Sequence, residues 1–225
     1  MPDTSPTNDS PVAFFALTFL LSLPFYILNA LAYLGYIGNP DIGAIYIAVF
    51  TITPIASATI LTFRRRGSRG LKELLWRIFD FKRITENRWY TAIFLLSPLI
   101  FLLSLMWLVF SGMLVPPALT PLMALPAVFL FFFLLAAGEE VGWTGYAYER
   151  MQAQGSTLRA ALVLGMIWAL WHAPFFVFMM TDPFILIPQV LTLVGTRILI
   201  VWIFVNTGKA FLPPSCSTLW TTQRS

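Results

Sequence analysis

Charge, cysteine and histidine are all scarce in this chain. Only 11% of its 225 residues are charged, and there is one cysteine, Cys216, and one histidine, His172. A single cysteine excludes an intrachain disulfide and a thiolate zinc site, and nothing around Cys216 resembles the setting of a nucleophile. Low charge excludes the composition of an ordinary soluble domain. The segments Gly35–Asp41, Ser111–Pro121 and Thr181–Pro183 contain no lysine or arginine at all. No positive charge precedes the first apolar run, and that run is too long for a signal-peptide core, so it is expected to remain in the mature protein. No internal repeat and no linker divides the chain.

Apolar residues fill the space left by these absences. They make up 58% of the chain, and the mean hydropathy is +0.79. Apolar windows of about 18 residues or more recur, each long enough to cross a hydrocarbon core. They predict spans at Val12–Leu34, Ile42–Phe63, Trp89–Phe110, Leu122–Gly138, Leu158–Met179 and Phe184–Val205. The fold class expected is all-α: a polytopic transmembrane helical bundle of about six spans. One membrane-embedded domain, residues 11–210, lies between a polar N-terminal tail (1–10) and a polar C-terminal tail (211–225).

The basic residues orient the bundle. Arg64, Arg65, Arg66, Arg69, Lys72, Arg77, Lys82, Arg83 and Arg88 all fall between the second and third spans. Arg150 and Arg159 flank the loop between the fourth and fifth, and Lys209 follows the sixth. The positive-inside rule then places the N-terminus in the cytoplasm of a multi-pass protein, expected in the plasma membrane of a prokaryote. The stretch Leu71–Phe79 mixes charge with apolar residues at helical spacing, which suits a helix lying among lipid headgroups with its cations snorkelling. That reading is preferred to a nucleic-acid patch, so the net charge of +4 reflects topology.

Two carboxylates interrupt this apolar pattern. Glu139 and Glu140 end the run Leu122–Gly138, and Val141–Tyr148 continues it. A carboxylate at membrane depth costs about 2.5–3.5 kcal/mol on insertion scales, so an embedded pair points to function. A helix C-terminus also disfavours carboxylates, which argues against a simple helix-end marker. Adjacent residues point about 100° apart on a helix, so the two cannot face one site equally. One can act as a general base while the other orients it or pairs with a cation. His172 lies in Trp168-Ala169-Leu170-Trp171-His172-Ala173-Pro174, on one face with Trp168 at i and i+4. Pro174 is expected to perturb the helix just after it. A lone histidine is as often a packing residue as a site member; beside the glutamates it becomes a site candidate. Arg197, about eight residues inside the sixth span, either snorkels to the interface or pairs with a buried glutamate.

The segments Glu139-Glu140-Val141-Gly142-Trp143-Thr144 and Trp168-Ala169-Leu170-Trp171-His172 resemble the first two motifs, E-E-x-x-x-R and F-x-x-x-H, of the CPBP family. These are the CAAX-protease and bacteriocin-processing membrane endopeptidases, also called the Abi or type II CAAX prenyl protease family. The similarity runs from about Glu73 to Gly208. It implies an intramembrane endopeptidase that cuts membrane-associated substrates, prenylated CAAX proteins among them. In it Glu139 or Glu140 activates a water, and His172 binds that water or stabilises the oxyanion. Whether zinc takes part is left open; Glu139, Glu140 and His172 are the candidate ligands.

Departures from the family pattern set further expectations. Thr144 stands where the first motif has arginine, so a glutamate is expected to lack its pairing partner. Trp168 replaces phenylalanine, an exchange of one aromatic for another. The third motif, H-x-x-x-N or H-x-x-x-D in a further span, is absent, and the chain continues from Phe211 to Ser225 as a polar tail. Codons for Pro213–Arg224 can be chosen so that an alternative frame reads L-F-H-A-M-D-N, which is compatible with a one-base frameshift near Phe211–Pro213. The chain as written is therefore expected to be inactive or nearly so. Two other classes stand beside the active protease: a crippled family member serving as a regulatory scaffold or pseudogene product, and a transporter using buried carboxylates as a proton relay.

Overall fold

The computed structural model describes residues 10–37, 50–112, 125–179 and 183–210. Among these residues every regular element is helical. In chain order they are α1 (Val12–Tyr33), α2 (Thr53–Trp76), two short 3-10 turns (Arg77–Phe79 and Phe81–Arg83), α3 (Arg88–Phe110), α4 (Leu125–Glu140), a π-helical segment (Val141–Tyr148), α5 (Glu149–Gln152), α6 (Thr157–Met179) and α7 (Pro183–Asn206). Helix is the expected outcome of long apolar runs whose backbone N–H and C=O groups must be satisfied within the segment. Most apolar windows fall on helices, but the second, Ile42–Phe63, is met only in its later part, because α2 runs from Thr53 on to Trp76. Ile42–Val49, part of the fourth window and the tails fall outside the described residues. So does everything expected of 211–225. Two helical stretches among the described residues, Val12–Tyr33 and Leu186–Asn206, are long and apolar enough to cross a membrane.

The arginine-rich stretch is more ordered than a connecting loop. Helix α2 continues through it to Trp76, kinked at Gly67, whose φ of 60° is a conformation open to glycine. Beyond this kink Leu74 turns inward, whereas Trp76 and Phe79 are exposed, as expected for a helix on a lipid surface. Arg77 grips Glu149 through Nη1 and Nη2 at 2.9 and 2.7 Å, tying this stretch to the end of the π segment.

Five helices and the π segment build the main core. Helix α6 lies along α7 and α1, and α2 packs against α1, α4 and the π segment. Aromatic rings fill the centre: Phe14 of α1 meets Trp143 edge-on at 5.4 Å and stacks on Tyr146 at 5.4 Å. Trp171 stacks on Phe50 at 3.9 Å. Such ring pairs add about 0.5–1.5 kcal/mol each beyond simple burial. Helix α3 is peripheral, with Ile93 joining Ile84, Ile203 and Ala210 in a separate small cluster.

Candidate active site

Helix α4 brings its two glutamates to the centre of the core. Glu139 is 2% exposed and Glu140 wholly buried. The helix widens into π geometry immediately after Glu140, and all eight residues of the widened segment are buried. Segments of this kind are rare and recur at functional sites, because the wider turn re-aims side chains. Gly142 lets α2 close on the segment: a β-carbon there would lie 2.6 Å from the Pro54 carbonyl oxygen.

Arg197 reaches the carboxylates from α7. A side chain at Gly165 of α6 would crowd the α-carbon of Val194 at 3.2 Å, so glycine permits the close approach of α7. Arg197 is fully buried. Its Nη1 donates to Glu140 Oε1 at 3.0 Å and Oε2 at 2.8 Å, and to Thr144 Oγ1 at 3.3 Å. Thr144 donates its hydroxyl to Glu140 Oε2. Arg197 Nη2 stands 3.9 Å from Glu139 Oε1, and the guanidinium lies 4.1 Å above the Trp168 ring. The two glutamates therefore share one cation unequally, as their angular separation requires. Arg197 pairs inside the core and does not snorkel. The expectation that Thr144 leaves a glutamate without a partner is corrected: the cation comes from another helix, which spacing within the motif does not reveal.

Trp168 connects the second motif to the first. Its indole Nε1 donates to Glu139 Oε1 at 2.6 Å, and His172 Nδ1 meets its backbone carbonyl at 2.9 Å. A carbonyl only accepts, so Nδ1 carries the proton and Nε2 of the neutral ring keeps its lone pair. The imidazole sits edge-on between Trp168 and Trp171, with centroids 4.7 and 4.6 Å away. Helix α6 runs through Pro174 to Met179, so the proline does not end the helix after His172.

A buried polar network fixes the neighbouring Trp171. Its Nε1 donates to Ser22 Oγ at 2.8 Å, and Ser22 Oγ pairs with Thr53 Oγ1 at 2.8 Å. Tyr26 donates to the Trp171 carbonyl at 2.7 Å. Residues of α1, α2 and α6 thus set the register of the histidine turn. Ser22, Thr53 and Tyr26 carried no motif, and only polar side chains inside apolar spans hinted at them.

The three candidate zinc ligands do not form a ligand set. Among the described residues no three of His, Cys, Asp or Glu gather closely enough to hold a metal ion. Both Glu140 oxygens already accept from the Arg197 guanidinium. Among the described residues the donor set does not fit zinc.

The model of the family described as type II CAAX prenyl endopeptidase Rce1-like matches residues 120–221, the stretch that holds Glu139, Glu140, His172 and Arg197. The chain is also 29% identical over 173 residues to CAAX prenyl protease 2 of Methanococcus maripaludis. Both findings support a relationship to the CPBP family. The similarity covers 73% of this chain and 62% of that relative, so the chain matches under two thirds of the relative's length.

Proposed function

We propose that this protein is an intramembrane endopeptidase that hydrolyses peptide bonds of membrane-associated substrates, prenylated CAAX-type peptides among them, in place of the inactivity expected from its motifs, since Arg197 supplies the cation that Thr144 does not. Glu139 is the general base. It takes a proton from water, the hydroxide adds to the scissile carbonyl carbon, and the proton passes to the amide nitrogen as the C–N bond breaks. His172 Nε2 accepts a hydrogen bond from the same water and orients it. The reaction runs in a site walled by tryptophan and phenylalanine rings, where fixed dipoles act more strongly than they do in water. The protein sits in a prokaryotic membrane as a multi-pass bundle with a cytoplasmic N-terminus, its carboxylates toward the cytoplasmic side.

This reading rests on Trp168, whose side chain holds Glu139 while its backbone carbonyl holds His172. The test is cleavage of a farnesylated CAAX peptide by the full-length protein in liposomes. Glu139→Gln and His172→Ala should each lose about 10²-fold or more in kcat, the size of effect seen when one stabilising group is removed. Cleavage that survives Glu139→Gln unchanged would remove Glu139 from the reaction.

A further inference from the structure

We propose that Arg197 is the positioning residue of the carboxylate pair, a cation delivered from α7 that locks Glu140 so that Glu139 alone is left to act on water. The inference rests on the hydrolase reading for its kinetic arm only. Both Glu140 oxygens are engaged by Arg197 Nη1, and Thr144 adds a further hydrogen bond. These bonds engage three of the roughly four acceptor positions of the carboxylate and turn it toward the cation, away from the role of base to a water. Glu139, among the described residues, receives one hydrogen bond, from Trp168, and stands at the longer distance of 3.9 Å from the cation.

Thr144 makes this arrangement possible. Four residues past Glu140, its side chain is too short to carry a charge back to the carboxylate. Its hydroxyl instead donates to Glu140 and accepts from Arg197, filling the gap between them. A long side chain at 144 would compete for the volume that the guanidinium occupies. Trp168 fixes the plane of the guanidinium from below and spends its N–H on the other glutamate, so one aromatic residue sets both ends of the unequal division. Arginine suits the role because it stays charged when buried and offers its donors in a rigid planar fork. Its Nε and Nη2 have no hydrogen-bond partner among the described residues, so the Nη1 edge is the one committed to Glu140.

The test uses the full-length protein in detergent and in liposomes, with thermal unfolding and cleavage of a farnesylated CAAX peptide as separate readouts. Arg197→Met keeps an unbranched apolar stem over Trp168 and removes the charge. It should lower the unfolding midpoint, and adding Glu140→Gln should recover part of that loss, because no unpaired buried charge then remains. In the kinetic arm Arg197→Met should lower kcat by about 10²-fold with KM changed less than about threefold, the pattern of a group that acts on the reacting geometry. Arg197→Lys should fall between Met and wild type. Arg197→Met combined with Thr144→Arg, which returns a guanidinium to the π segment, should regain about tenfold or more in kcat.

Midpoint losses that simply add in the Arg197→Met and Glu140→Gln double variant would overturn the pairing. A kcat for Arg197→Met within about threefold of wild type would overturn the positioning role. If wild type shows no Glu139-dependent cleavage, the hydrolase reading fails by itself, and the midpoints still decide whether Arg197 is the counter-ion of Glu140.

Discussion

Trp168 donates its indole proton to Glu139 across 2.6 Å, a contact between residues 29 positions apart on two different helices. The same tryptophan accepts from His172 through its carbonyl and lies beneath Arg197. Trp168→Phe keeps an aromatic ring and removes only the donor, leaving a buried carboxylate oxygen without its hydrogen bond. The expected cost is about 1–3 kcal/mol of stability. Urea or thermal unfolding checks the first effect, and the CAAX peptide assay should show an accompanying loss of kcat. A variant as stable and active as wild type would show that the indole N–H is dispensable.

The two glutamates should separate in a stability experiment. Glu140→Ala leaves Arg197 buried without its closest anion, and breaking a buried pair from one side costs about 3–5 kcal/mol. Glu139→Ala leaves that pair intact and should cost clearly less. Unfolding midpoints of the two variants in the same detergent make the comparison. Equal losses would contradict the unequal sharing of Arg197.

Gly142 carries a packing prediction. A β-carbon at this position would collide with the Pro54 backbone. Gly142→Ala should push α2 off the π segment and cost about 1–3 kcal/mol through overpacking, although alanine is the better helix former. Gly155, where a β-carbon meets open space, supplies the control. Gly155→Ala should leave the unfolding midpoint close to wild type.

Orientation is open to a direct measurement. A reporter fused after Arg66 should read as cytoplasmic and one fused near Pro117 as external, because the basic residues cluster on one side of the chain. Reversed signals would move the carboxylates toward the opposite face of the membrane.

Helix positions were largely legible before any coordinates. The windows at Val12, Trp89, Leu158 and Phe184 lie within a residue of helices that start at Val12, Arg88, Thr157 and Pro183. The site was legible in part. Glu139, Glu140 and His172 stood out because polar groups are costly in apolar surroundings, whatever their partners. Arg197 stood out for the same reason, yet its sequence surroundings were equally compatible with snorkelling.

Composition and spacing by themselves determined that this protein is built of apolar helices and which few polar residues they carry inward. Tertiary structure decided which of those residues meet. A helix that is apolar nearly all round has no preferred buried face, so its sequence does not tell which side turns toward a neighbour. The partnership of Arg197 with Glu140 spans 57 residues and three helical elements. It exists because Gly165 lets α7 close on α6, Gly142 lets α2 close on the π segment, and Thr144 leaves room for a guanidinium. Those are matters of volume between helices, and volume is set only when the helices pack.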